Sequence, residues 1–175
     1  CYNSDITSQE EAEENFLNMF DVSVTKHVQF KNYVAKEPVI DNRIFLNGNR
    51  LFFLEPLESS STQTYIEMAR AVFDYYLQGK VSAVHVKEDI TKYIKQLQNF
   101  VLWHYQSGSK FDTPFWEYAK TLTFKDETFD KFLGYSEISD CIPVTYGGTT
   151  QNKLYGQWPA YSFKNWNEGM TLNCL

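Results

Sequence analysis

The apolar positions of this chain change their rhythm near residue 60. After it they recur at three and four; before it, one short helical stretch apart, they alternate or come in brief runs. Ser8-Gln9-Glu10-Glu11 is a capping box, and Ala12, Phe16, Leu17 and Phe20 follow at helical spacing, so residues 9–20 are predicted as a short amphipathic helix. Residues 26–34 (KHVQFKNYV) alternate, with His27, Gln29 and Lys31 opposite Val28, Phe30 and Asn32. That pattern predicts a half-buried strand broken at Glu37-Pro38, with His27 on its exposed side. Arg43 to Leu46 reads as a second strand. Asn47-Gly48 then signals either a hairpin turn into Leu51–Leu54 or a glycine turn leading to a Pro56 kink. The second fits better, because the hydroxyl run Ser59, Ser60, Ser61, Thr62 suits a strand-to-helix joint.

Residues 61–78 carry Ile66, Ala69, Val72, Phe73, Tyr76 and Leu77 on one stripe, with Gly79 where a C-terminal cap belongs. Lys87 to Gln106 repeats the pattern through Ile90, Tyr93, Ile94, Leu97, Val101, Leu102 and Tyr105, and Ser107-Gly108 ends it. Thr113-Pro114 starts another helix, faced by Phe115, Trp116, Ala119 and Leu122. Asp126 caps a shorter one through Leu133, and from Gly134 onward the chain is predicted as loops and turns. The fold class is therefore α+β, with strands confined to the first third and helices from about 60 to 133.

Composition narrows the picture. At 175 residues the chain is long enough for one sizeable core, and 17% aromatic residues point to a core or pocket lined by rings. A net charge of −6 argues against nucleic acid, and no apolar run is long enough to span a membrane. Cys1, Cys141 and Cys174 are far apart and odd in number. They read as free thiols in a reducing, cytoplasmic setting, with no metal site. The first residue is Cys1 and not Met, which suggests the later piece of a longer chain.

The chemistry gathers at the joint. A Ser/Thr run opening a helix leaves N–H groups that, with the positive end of the helix dipole, suit an anion; Glu58 stands beside it. The plainer alternative is a capped helix with a solvated glutamate. Read together, Gly48-Asn49-Arg50-Leu51-Phe52-Phe53-Leu54-Glu55-Pro56-Leu57-Glu58-Ser59 resembles the signature segment of flavin-dependent halogenases of the tryptophan halogenase family. A second resemblance lies in Phe100-Val101-Leu102-Trp103-His104-Tyr105 followed by Asp112-Thr113-Pro114-Phe115-Trp116. A third, weaker one is Tyr155-Gly156-Gln157-Trp158-Pro159.

The resemblance implies the C-terminal portion of a flavin monooxygenase-like, FAD/NAD(P)-binding fold. Residues 1–57 would end the flavin-binding domain and its sheet, and residues 58–175 would form a mainly helical substrate region. The family's GxGxxG fingerprint, WxWxIP motif and catalytic lysine do not occur in this sequence. The implied enzyme makes hypohalous acid from reduced FAD, oxygen and halide and halogenates an electron-rich aromatic. Its implied partners are a flavin reductase, the small aromatic substrate and the missing N-terminal half, with a homo-oligomer left open. As an isolated polypeptide the chain would expose a large apolar patch and bind flavin poorly.

Carried over by motif, Glu58 is the catalytic carboxylate, Ser60 and Ser61 bind halide, and Gly48, Asn49 and Pro56 approach the flavin. His104, Tyr105, Phe111, Phe115 and Trp116 line the substrate site. Three departures stand out. Ser61 replaces a usual glycine, Arg50, Leu51 and Phe52 replace small residues, and Phe111 stands where tryptophan-specific members carry an ammonium-binding glutamate. For the ring-bearing residues, core packing is the alternative reading. Two other functions stay open: a hydroxylating flavin monooxygenase, and a non-catalytic helical interaction module.

Overall fold

The computed structural model describes residues 2–54, 60–106, 109, 111–123, 144–146, 149–151 and 158. The capping box forms as the sequence predicts. Ser8 Oγ accepts from the Glu11 N–H, the Glu11 carboxylate accepts from the Ser8 N–H, and α1 runs Gln9–Phe20. The Ser8 backbone bond, with the Ser8 hydroxyl, holds the Glu11 carboxyl below the usual carboxylate range. The cap is therefore complete above that range and weakens as pH falls through it.

The strands are shorter than the sequence predicts. β1 (Tyr33–Val34) is all that forms of the 26–34 strand; it pairs antiparallel with β4 (Phe52–Phe53), Tyr33 opposite Phe53. Residues 22–32 join no ladder. A two-residue contact supports no longer pairing, because a strand extends only where a neighbour offers a matching edge. β2 (Val39–Ile40) and β3 (Ile44–Phe45) make a separate hairpin turned by Asp41 and Asn42. Both have positive φ, a conformation these two residue types tolerate better than most. Since β4 pairs with β1 and not with β3, Asn47-Gly48 is no hairpin turn. It opens a 3₁₀ turn over Gly48–Arg50, with Gly48 at φ +58°.

Helix α2 spans Ser60–Arg70 and passes into a π-helical segment, Ala71–Tyr76, so the predicted 61–78 helix is continuous but underwound at its end. The wider turn sits where Tyr76 reaches the β2–β3 hairpin: its hydroxyl donates to the Asn42 carbonyl (3.1 Å) and its ring meets Phe45 at 4.7 Å. Gly79, at φ +68°, closes the run. Gly79 N–H bonds Tyr76 O and Lys80 N–H bonds Tyr75 O, the paired bonds of a Schellman cap.

Helix α3 runs Ala83–Gln106, one turn earlier than the apolar repeat alone predicts, because Ser82 Oγ caps it by accepting from His85 N–H. Val86, Ile90, Ile94, Leu97 and Phe100 lie on its inner face. They pack with Val39, Leu51, Phe52, Leu54, Met68 and Trp158 into the main core. Helix α4, Pro114–Lys120, starts at Thr113-Pro114 as predicted. The predicted helix from Asp126 lies outside the described residues. One expectation fails beyond Gly134: β5 (Val144–Tyr146) and β6 (Thr149–Gln151) pair antiparallel on either side of Gly147-Gly148. Strands are thus not confined to the first third. Gly-Gly between two β-prone runs is a hairpin signal as well as a loop signal.

Among the described residues no helix is long and apolar enough to cross a membrane. None of their His, Cys, Asp or Glu side chains gather into a group of three or more that could hold a metal.

Candidate halide and aromatic site

Two groups of side chains matter, one at the start of α2 and one where α3 meets α4. At the first, Ser60 and Ser61 are the opening residues of α2. Their N–H groups have no acceptor within the helix. Ser61 Oγ is buried and has no hydrogen-bond partner among the described residues. A buried hydroxyl without a partner costs about 1–3 kcal/mol unless a ligand or water completes it. Glu58 and Pro56 lie outside the described residues.

The Gly48–Arg50 turn is clamped to the same helix. Asn47 Nδ2 donates to the Tyr65 carbonyl at 3.1 Å, and the Tyr65 hydroxyl reaches Asn49 Oδ1 at 2.9 Å and the Phe52 carbonyl at 3.1 Å. Among the described residues nothing lies within 4 Å of where a Cβ on Gly48 would sit, so none of them closes its backbone on that side. Leu51 and Phe52 do not crowd it. Both are 0% exposed because they turn into the core, with Phe52 edge-on to Tyr65 at 5.5 Å. Of the three bulky residues that replace small ones here, Leu51 and Phe52 are buried and Arg50 is exposed.

At the second group, the Tyr105 ring stacks over Trp116 (6.1 Å, 26°) and meets Phe115 edge-on at 5.9 Å. Phe115 and Trp116 are edge-to-face at 5.1 Å. The face of Trp116 toward Tyr105 is therefore already covered, and a guest ring there would have to displace Tyr105. His104 Nδ1 lies 2.7 Å from the Phe100 carbonyl, an acceptor, so this nitrogen carries the proton. Phe100 in turn stacks on Trp158 at 3.7 Å, which places Trp158, the described residue of the third sequence motif, in the core.

The structure thus brings Tyr105, Phe115 and Trp116 into one cluster, while the His104 ring lies against Phe100 and Trp103. The Phe111 ring is exposed. Nearby, Lys120 hydrogen-bonds Glu117, which holds the Glu117 carboxyl low and the Lys120 ammonium high. Asn47 and Tyr65 brace the Gly48–Arg50 turn, a role the sequence motifs do not show for Tyr65. Only the spacing of Tyr65 from the hydroxyl run could have pointed to it.

The chain is α+β, with a serine-led helix joined to a glycine turn and a ring cluster where two helices meet. The family model for tryptophan halogenase matches residues 1–167. Tryptophan 6-halogenase ThaL of Streptomyces albogriseolus is 27% identical over 176 aligned residues, covering 96% of this chain and 32% of that protein. Tryptophan 7-halogenase KtzQ of Kutzneria sp. (strain 744) is 25% identical over 182, covering 99% of this chain and 33% of that protein. The chain belongs to the tryptophan halogenase family, and it spans about a third of the length of these curated relatives.

Proposed function

We propose that this chain is the halide- and substrate-binding portion of an FADH2-dependent halogenase acting on an electron-rich aromatic. The observation that carries the proposal is the buried, unpartnered Ser61 Oγ in the opening turn of α2. An N-terminal helix turn with an extra inward O–H donor is suited to a small anion. The residues present also fit a flavin edge. Gly48 leaves its backbone open, and Asn49, exposed and held by Tyr65, flanks it. Gly48, Asn49 and Pro56 are the residues this reading assigns to it. Reduced flavin, when bound, supplies the two electrons that turn oxygen and halide into hypohalous acid and water.

In the step assigned to this chain, a ring carbon bonds to the halogen as the oxygen–halogen bond of hypohalous acid breaks. The ring then loses its proton, and the displaced hydroxide leaves as water. Glu58 stabilises the positive charge on the ring and takes that proton; an ionised carboxylate is suited to both. Ser60 and Ser61 hold the halide. His104, Tyr105, Phe115 and Trp116 form the aromatic wall, with Phe111 at its rim. A separate flavin reductase would supply the reduced flavin.

Ser61→Ala removes the extra O–H donor and leaves the backbone donors in place. Halide affinity should fall about tenfold, as for loss of one hydrogen bond to a charged group. The halogenation rate as a function of bromide or chloride concentration measures this; an unchanged half-saturation would remove Ser61 from the site.

Phe111 offers no carboxylate to an ammonium group. Neutral phenols, pyrroles and indoles should therefore be preferred over free tryptophan by about tenfold or more, the scale of a lost charge-assisted hydrogen bond. Competition between indole and tryptophan, read by product ratio, decides it. Equal turnover would overturn the preference.

A further inference from the structure

Tyr65 stands one helical turn after Ser61 on α2, and its hydroxyl and carbonyl both reach back to the Gly48–Arg50 turn and the strand after it. The hydroxyl lies 2.9 Å from Asn49 Oδ1 and 3.1 Å from the Phe52 carbonyl, and the Tyr65 carbonyl accepts from Asn47 Nδ2 at 3.1 Å. These partners lie 13 to 18 residues earlier in the chain, so the clamp joins two places that local structure does not. A phenol has one proton, and here it bridges a side chain of the turn and the backbone of β4 instead of serving either alone.

The asparagines do not need this clamp to satisfy their polar groups. Asn47 and Asn49 are both exposed, and water would serve them nearly as well. What the bonds add is a fixed relation between turn and helix. The Tyr65 ring is itself held, edge-on at 5.5 Å to Phe52, which is buried in the core. Its hydroxyl therefore carries constraint between the two segments and not merely surface contact.

We propose that Tyr65 is a positioning residue that couples the two ligands: flavin at the Gly48–Asn49 turn steadies the opening of α2 for halide, and halide does the same for flavin. This rests on the halogenase reading. A ligand that orders a segment spends conformational entropy, and a second ligand that needs the same order then spends less. Such coupling is reciprocal, each ligand tightening the other by one common factor.

The test titrates the complete enzyme with oxidised FAD, followed by flavin fluorescence, without and with saturating bromide at matched ionic strength. Bromide should tighten FAD about tenfold, and FAD should tighten bromide by the same factor. Tyr65→Phe keeps the ring and its contact with Phe52 and should bring that factor to about twofold or less. Asn47→Ala, which removes the bond to the Tyr65 carbonyl, should lower it as well. Tyr76→Phe removes a similar hydroxyl–carbonyl bond at the far end of the same helical run and should leave the factor unchanged. A merely structural loss would weaken both ligands and leave the factor as it was. An unchanged factor in Tyr65→Phe, or an equal loss in Tyr76→Phe, overturns the coupling and leaves the halogenase reading standing. Failure of the unaltered enzyme to bind FAD or bromide counts against that reading, and the coupling falls with it.

Discussion

Replacing Glu58 by Gln should lower aromatic halogenation by about a hundredfold or more, the usual scale for losing a positioned charge or base. The substitution keeps the size and hydrogen-bonding capacity of the side chain and removes only its negative charge. Glu58 stands two residues before α2, whose opening turn holds the unpartnered Ser61 hydroxyl. A carboxylate there and an anion at the helix start repel, so the role proposed for Glu58 is on the oxidised halogen and the ring and not on the halide. Oxygen consumption and hypohalous acid formation should therefore continue in the variant of the complete enzyme. Stopped-flow flavin oxidation, run beside product quantification, separates the two steps. A normal halogenation rate would reduce Glu58 to a residue near a helix cap; loss of flavin oxidation would move it to the flavin side.

The second large effect is on stability. Phe52→Ala should cost about 3–5 kcal/mol, the usual range for truncating a fully buried aromatic ring. Phe52 is 0% exposed and packs in the α3-centred core. Its carbonyl receives the Tyr65 hydroxyl, and its neighbour in β4 holds the pairing with β1. Removing the ring leaves a cavity under the Gly48–Arg50 turn, so flavin affinity and fold stability should fall together. Denaturant unfolding followed by tryptophan fluorescence measures the change. A midpoint shift worth less than about 1 kcal/mol would mean that neighbouring side chains collapse into the space.

What could be read in the sequence was whatever local chemistry settles. Ser8 with Glu11 and Gly79 after an apolar stripe fix helix ends through bonds made within a few residues; Pro114 opens α4 by its fixed φ, with no side-chain cap bond from Thr113, and all three ends are found. The strands depend on partners far along the chain. Val28 and Phe30 alternate as a strand should, but pairing needs an edge, and β4 offers β1 only two residues. The Asp41-Asn42 turn is a local signal that was overlooked, as was Ser82 as the cap of α3.

The site divides in the same way. A serine-led helix start was legible from Ser59 to Thr62. The orphaned Ser61 hydroxyl and the Tyr65 clamp on Asn49 were not, because a side chain's direction depends on the packed core around it. Leu51 and Phe52 show this most clearly. Both stand in the signature segment where small residues are usual, and both are buried in the core.

The most direct test supplies the complete enzyme with reduced flavin, oxygen, bromide and indole and reads the product by mass spectrometry. A brominated ring with the bromine isotope pair, formed only when bromide is present, is the expected result. A product that has gained oxygen and no halogen would contradict the halogenase reading and make the enzyme a hydroxylating monooxygenase.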